Sequence, residues 1–126
     1  MIVVDSDVLI DALRGREPAR SRFAEGLGQG SLATTAVNAF ELRSGARSAQ
    51  QEAKIEDLLG PLALLPFDDG AARAAATARR ELERRGETIG MGDYLIAGVC
   101  LAQRAILLTR NREHFARVPG LALAGS

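Results

Sequence analysis

A chain of 126 residues with sixteen basic and sixteen acidic side chains and no net charge is long enough to bury one core, and one domain over residues 1–126 is expected. The single cysteine, Cys100, excludes an internal disulfide or a thiolate metal cluster, and the start, Ile2-Val3-Val4 followed by Asp5 and Asp7, lacks the basic residues and long apolar run of a secretion signal. No apolar stretch approaches the length of a membrane span, so a reducing, cytoplasmic setting is expected.

Residues 2–4 are apolar, rich in β-branched side chains and end at an acid, which reads as a buried parallel strand. A helix is expected over 7–13. Past Arg14-Gly15-Arg16 a second opens at Glu17-Pro18, runs to about residue 27 and is ended by Gly26, Gly28 and Gly30. Residues 31–34 suit a second strand, with Thr34 or Thr35 placed to cap a helix carrying Val37, Phe40, Glu41 and Leu42. Another helix is expected over 50–59. The apolar segment 61–66, bracketed by prolines, is too short for a viable helix and suits a third strand. Alanine, leucine, glutamate and arginine then favour a long helix over 68–85 that Gly86 stops. After the glycine-bearing loop 90–92, Asp93 opens a nearly all-apolar helix through 101. Residues 105–108 form a fourth strand and 121–123 a short fifth. Strands alternating with helices argue for an α/β three-layer sandwich with a mostly parallel sheet of four or five strands.

Ligands of open parallel sheets bind at the carboxyl ends of the strands, and acids gather there. Asp5 closes the first strand, with Ser6 and Asp7 next; Glu41 lies in the helix after the second; Asp93 opens a helix; Thr109, Asn111 and Glu113 follow the fourth strand. Carboxylates crowded at one rim resist ionisation unless a cation sits among them, and oxygen ligands without histidine or cysteine suit Mg²⁺ or Mn²⁺ better than zinc. Single residues also have plain structural roles. Asp93 or Asp7 could cap a helix, Glu41 could be a solvated helix position, and Asp11 could face solvent or the rim. Asp5, ending an apolar strand, makes no cap for that strand. His114, the only histidine, reads as a surface or packing residue.

Taken together the fragments resemble the PIN-domain family. Val3-Val4-Asp5-Ser6-Asp7-Val8-Leu9-Ile10-Asp11 resembles its opening motif, Phe40-Glu41-Leu42 the second, Gly92-Asp93-Tyr94-Leu95-Ile96-Ala97 the third, and Leu107-Leu108-Thr109-Arg110-Asn111-Arg112-Glu113-His114-Phe115 the fourth. They stand in the family's order and spacing over essentially the whole chain. The length, with the closing Arg117-Val118-Pro119-Gly120-Leu121, is similar to VapC toxins of bacterial toxin-antitoxin pairs. The resemblance implies a Mg²⁺-dependent endoribonuclease, with Mn²⁺ able to substitute, that hydrolyses RNA phosphodiester bonds as a homodimer and is silenced by a cognate VapB antitoxin. It implies Asp5, Glu41 and Asp93 as catalytic, metal-binding residues, with Ser6, Thr109, Asn111 and Glu113 supporting them through hydrogen bonds. Arg110 and Arg112, which flank the site, would contact RNA phosphates. Many relatives carry aspartate where this chain has Asn111, which leaves either a single metal ion or a site that recruits Glu113 through a shifted loop.

Two other readings stand beside this one. Asp5-Ser6-Asp7-Val8 after a strand also resembles the aspartyl-phosphate motif of haloacid-dehalogenase-type phosphatases, whose chemistry needs a later lysine; Lys54, the only lysine, precedes the third strand. Asn111 also fits a catalytically degenerate PIN-like domain that binds RNA or a partner without cutting. In either case an apolar surface on the early helices, with Leu9, Leu13, Phe23 and Leu27, could receive an antitoxin segment.

Overall fold

The computed structural model describes residues 1–125. Its short strands are β1 (Ile2–Val4), β2 (Leu32–Thr35), β3 (Ala63–Leu65), β4 (Ile106–Leu108) and β5 (Ala122–Leu123). They form one sheet, parallel throughout, in the order β3-β2-β1-β4-β5. Helices α1 (Ser6–Leu13), α2 (Ala19–Gln29), α3 (Ala36–Ser44), α4 (Ala49–Leu59), α5 (Asp69–Arg85), α6 (Met91–Gln103) and α7 (Arg112–Phe115) cover it. Successive side chains of a strand point to opposite faces. Val3, Ala33 and Leu107 therefore pack with Leu82, Ile96, Ala97 and Cys100 of α5 and α6. Val4, Leu32 and Leu108 pack with Leu9, Leu42, Ile55 and Leu59 of α1, α3 and α4. Two covered faces explain why the central strands are apolar at consecutive positions, and they give the expected three layers.

The chain lays down β1, β2 and β3 in one direction, then returns to place β4 and β5 on the other side of β1. At such a reversal the connections leave in opposite directions and open a crevice at the carboxyl ends of the two strands. Here those ends are Asp5 after β1 and Thr109 after β4.

Some boundaries differ from the sequence expectation for local reasons. α1 begins at Ser6 because the Asp5 side chain caps it. α2 continues through Gly26 and stops at Gly30, whose φ of 69° lets its N–H reach the Gly26 and Leu27 carbonyls. Gly26 is instead a point of close approach: a Cβ there would lie 2.5 Å from the Leu32 side chain. α6 starts two residues before Asp93, with Gly90 at its N-cap. The one-turn helix α7 was not anticipated. Leu9 is fully buried and cannot belong to an exposed apolar surface, while Phe23 and Leu27 are partly covered and Leu13 is open. Cys100 is buried and burial pushes its thiol up to about 12, which leaves it unreactive at neutral pH. No helix among the described residues is long and apolar enough to cross a membrane.

Candidate active site

Asp5 is the pivot between β1 and α1. Its backbone N–H bonds the Leu108 carbonyl at 2.9 Å, fixing it to β4. Oδ1 accepts from the Ser6 N–H (2.9 Å) and from Asn38 Nδ2 (3.0 Å), and Oδ2 accepts from the Thr109 hydroxyl at 2.6 Å. The carboxylate thus caps the helix that follows it while being held over the crevice. Asn38, absent from the expected site residues, is fully buried. Its amide also donates to Ser6 Oγ (2.8 Å), and its carbonyl oxygen accepts from the Thr35 hydroxyl (2.7 Å). Ser6 in turn donates to Glu41 Oε1 at 2.8 Å. Thr35 at the N-cap and Asn38 and Glu41 within α3 recur every three residues and so lie along one face. The capping box formed by Thr35 and Asn38 is the signal by which Asn38 could have been found.

On the other flank, Asp7 Oδ2 accepts from the Arg110 backbone N–H at 3.1 Å. Its Oδ1 is the one buried side-chain oxygen or nitrogen among the described residues without a partner. Asp7 is therefore a crevice residue and not the cap of α1. Asp93 lies in the first turn of α6, where the helix dipole favours an anion. A Cβ on the preceding Gly92 would come within 3.2 Å of Glu41 Oε2, so the start of α6 closes on α3. Asn111 donates from its amide nitrogen to Asp93 Oδ2 at 3.4 Å. His114, expected at the surface or in packing, contacts Asn111 at 3.1 Å and stands 4.0 Å from Asp93.

Three expected participants stand outside the crevice itself, Glu113 in solvent and the two arginines on the flank where they are expected. Glu113 projects into solvent, with Arg117 its nearest charge at 3.9 Å; the single turn of α7 directs it outward, and no shifted loop recruits it. Arg110 pairs with Asp11 at 2.9 Å, and Arg112 donates to the Ala124 carbonyl. Both sit on the flank of the crevice. Asp11, read as solvent-facing or at the rim, is buried.

Burial pushes the Asp5 carboxyl above the ordinary range against the pull of hydrogen bonds from Thr109, Ser6 and Asn38, and the Glu41 charge adds to the rise. Asp7 is raised by burial and then by Asp5. Asp93 is raised by burial and then by Asp5, with Glu41 and Asp7 adding and His114 opposing. Ionisation of one carboxyl is thus felt by the others. Among the described residues no three His, Cys, Asp or Glu side chains stand close enough together to hold a metal ion between them. Hydroxyl and amide groups space the carboxylates apart. Mg²⁺ keeps several waters and needs only one or two direct carboxylates. An oxygen-rich crevice with an unpartnered Asp7 oxygen fits such an ion. Asn38→Ala, which strips donors from Asp5 and Ser6 and breaks the capping box, is expected to cost about 1–2 kcal/mol in urea denaturation; an unchanged midpoint would show that this network holds nothing in place.

Residues 2–121 match the family model for the PIN domain. Ribonuclease VapC10 of Mycobacterium tuberculosis is 39% identical over 115 residues, covering 91% of this chain and 86% of that protein. The tRNA(fMet)-specific endonuclease VapC of Shigella flexneri is 32% identical over 123 residues, 94% of this chain and 92% of its own. Among solved structures, VapBC2 from Rickettsia felis bound to a promoter DNA fragment superposes with a TM-score of 0.90 at 25% identity over 98% of both chains. DNA-bound VapBC from Salmonella typhimurium gives 0.89 at 26% identity, over 98% of this chain and 96% of that one. The matched span runs from the first strand to the residue before the fifth and takes in every residue of the crevice: the chain belongs to the PIN-domain family.

Proposed function

We propose that this single PIN domain is a Mg²⁺-dependent endoribonuclease toxin of the VapC kind, hydrolysing RNA phosphodiester bonds and held silent by a VapB-type antitoxin. The observation that carries the reading is the bond from Thr109 to Asp5 across the switch-point crevice, with Asp7, Glu41 and Asp93 close enough to raise or share its charge. Relatives named as a ribonuclease and a tRNA endonuclease support RNA as substrate, and neighbours solved as VapBC complexes support the antitoxin. PIN-domain ribonucleases depend on divalent metal; Mg²⁺, with Mn²⁺ as substitute, suits this donor set. Asp5 and Asp93 would hold the ion directly and Glu41 through water. A bound divalent ion supplies activation of the attacking water and neutralisation of phosphoryl charge.

The chain's own part is positioning and proton transfer. Thr109 and Asn38 fix the two oxygens of Asp5, and Ser6 aims Glu41, whose exposed carboxylate can take the proton of the attacking water. Arg110 and Arg112 would meet phosphates of the strand beside the crevice. An open groove of about 570 Å³, lined by Ile10, Leu13, Leu42 and Ile55 and reaching Glu41, gives an antitoxin segment a place to lie. A homodimer is the proposed state. A phosphatase with an aspartyl-phosphate intermediate is disfavoured, because no lysine bonds Asp5 and Lys54 lies on α4.

The test is cleavage of total RNA by the protein with Mg²⁺, with chelator, and with Asp5→Ala or Asp93→Ala. Fragments are expected only from the unaltered chain with metal. Cleavage that persists in chelator or in both variants refutes the reading; RNA binding without cleavage in either ion makes the domain a binding module.

A further inference from the structure

Between α1, α2 and the segment after β4 lies a pocket of about 260 Å³. Val8, Ala19 and Leu108 line it with apolar surface, and Arg22, Arg110 and Arg112 bring cationic side chains to it. Thr109 belongs both to this pocket and to the crevice, since its hydroxyl donates to Asp5. The pocket and the acidic centre are therefore neighbours across one side chain.

Among the described residues the charges around the pocket do not balance. Asp11, its side chain 12% exposed, is the one carboxylate lining it and is taken up by Arg110 at 2.9 Å and Arg16 at 3.8 Å. Arg112 is bound to the Ala124 carbonyl and keeps its charge. The Arg22 side chain forms no ion pair or hydrogen bond among the described residues, although it is partly covered. In a chain without net charge, this leaves a local cationic surface next to a cluster of carboxylates that by itself would repel a polyanion.

We propose that this pocket is a nucleotide subsite: one base of the RNA strand rests on the apolar surface, its phosphate meets Arg22 and Arg112, and the adjoining phosphodiester is delivered over Asp5 and Asp93. The proposal rests on the ribonuclease reading. An anionic backbone carrying flat apolar-faced bases matches both halves of the pocket, the arginines through phosphate and the lining through the base. The volume lies below the roughly 300–1,000 Å³ of pockets that enclose whole drug-sized ligands, which suits one base of a strand that continues outward. Asp11 has a positioning part, holding the Arg110 guanidinium on this flank.

The experiment measures affinity for a fluorescein-labelled ten-nucleotide RNA by anisotropy in chelator, so that binding is read without cleavage, at several salt concentrations. Arg22→Ala is expected to weaken binding roughly five- to tenfold and to reduce the salt slope by about 0.7, the contribution of one phosphate on a single strand. Ala19→Phe, which fills the pocket, is expected to weaken binding at every salt without changing the slope; where it impairs folding, Arg22→Glu replaces it and is expected to weaken binding further than Arg22→Ala. Arg79→Ala, in an exposed α5 pair with Glu83, serves as the control that binds as the unaltered chain does. Unchanged affinity and slope in the Arg22 variants overturn the subsite even if metal-dependent cleavage is observed. Loss of binding in those variants together with no cleavage in any metal keeps the subsite and removes the nuclease assignment.

Discussion

Replacing Asp93 by asparagine is expected to abolish RNA cleavage and, in the same protein freed of metal, to raise the melting temperature by roughly 4 °C. The two effects have one cause. At neutral pH the ionised Asp93 carboxylate is half-buried beside Asp5, Glu41 and Asp7, and burial with these charges raises its pKa above the ordinary value of 3.8. Asparagine keeps the shape and the oxygen that Asn111 approaches but removes the charge. Because Asp93 is partly open to water, which screens the repulsion, the gain is set at about 1 kcal/mol, which corresponds to the stated shift in a domain of this size. The activity loss is larger. An ion-holding carboxylate underlies several kcal/mol of transition-state stabilisation, and at 1.36 kcal/mol per tenfold its removal costs roughly three orders of magnitude in rate.

The pH dependence has a definite sign. A carboxyl with a raised folded pKa binds more protons folded than unfolded, so the stability it lends is complete below 3.8 and is lost as pH rises through the raised value. The metal-free gap between Asp93→Asn and the unaltered chain should therefore be widest at neutral pH and close as pH falls toward 3.8. Added Mg²⁺ should reverse the order, because an ion bound only by the folded unaltered chain stabilises it by about 2.7 kcal/mol at a hundred times its Kd. Melting curves at pH 7 and pH 4.5, with Mg²⁺ and with chelator, check all three statements. A variant less stable than the unaltered chain in chelator, or one that still cleaves at a comparable rate, sinks this account of the crevice.

Asp5 and Asp93 were legible because each stands at a junction that local pattern marks: the end of an apolar strand, and the start of an apolar helix after a glycine loop. The layering was legible for the same reason, since strand and helix periods are written in consecutive residues. What the pattern does not carry is the rotation of one element against another. Asn38 looked like an ordinary turn of α3 until packing placed it against β1, where it bonds Asp5 and Ser6. Glu113 sits one residue beyond Arg112, yet the single turn of α7 directs it to solvent while His114 stands beside Asp93. The pairing of Asp11 with Arg110 joins residues far apart in the chain, and no local signal announces it. Gly26 shows the opposite error, for a glycine that looked like a helix stop is there because β2 comes too close for a side chain.

Gly98 makes the same point where the consequence for stability is greatest. α5 turns Ala71, Ala75, Ala78 and Leu82 inward, a stripe of mostly small residues that lets α6 come unusually near. A Cβ on Gly98 would stand 2.5 Å from the Ala71 carbonyl oxygen, 2.7 Å from Ala75 Cβ and 3.0 Å from the Ala75 nitrogen. Two of these atoms are backbone, so no rotamer change relieves the clash and the helices must separate. Alanine is the better helix former by about 1 kcal/mol, yet overpacking of a filled interior costs about 1–3 kcal/mol or more. The steric term wins here because it opens the contact along its length. Gly98→Ala is accordingly expected to lose about 3 kcal/mol in urea denaturation, whereas Gly28→Ala, with nothing within 4 Å of its added Cβ, should lose nothing. Asp93 rides on the same helix one turn and a half before Gly98, so a folded Gly98→Ala protein should also cleave RNA more slowly with unchanged RNA affinity. Full stability in Gly98→Ala would mean that α5 and α6 do not meet as closely as described, and that the start of α6 is held over the crevice by something other than this contact.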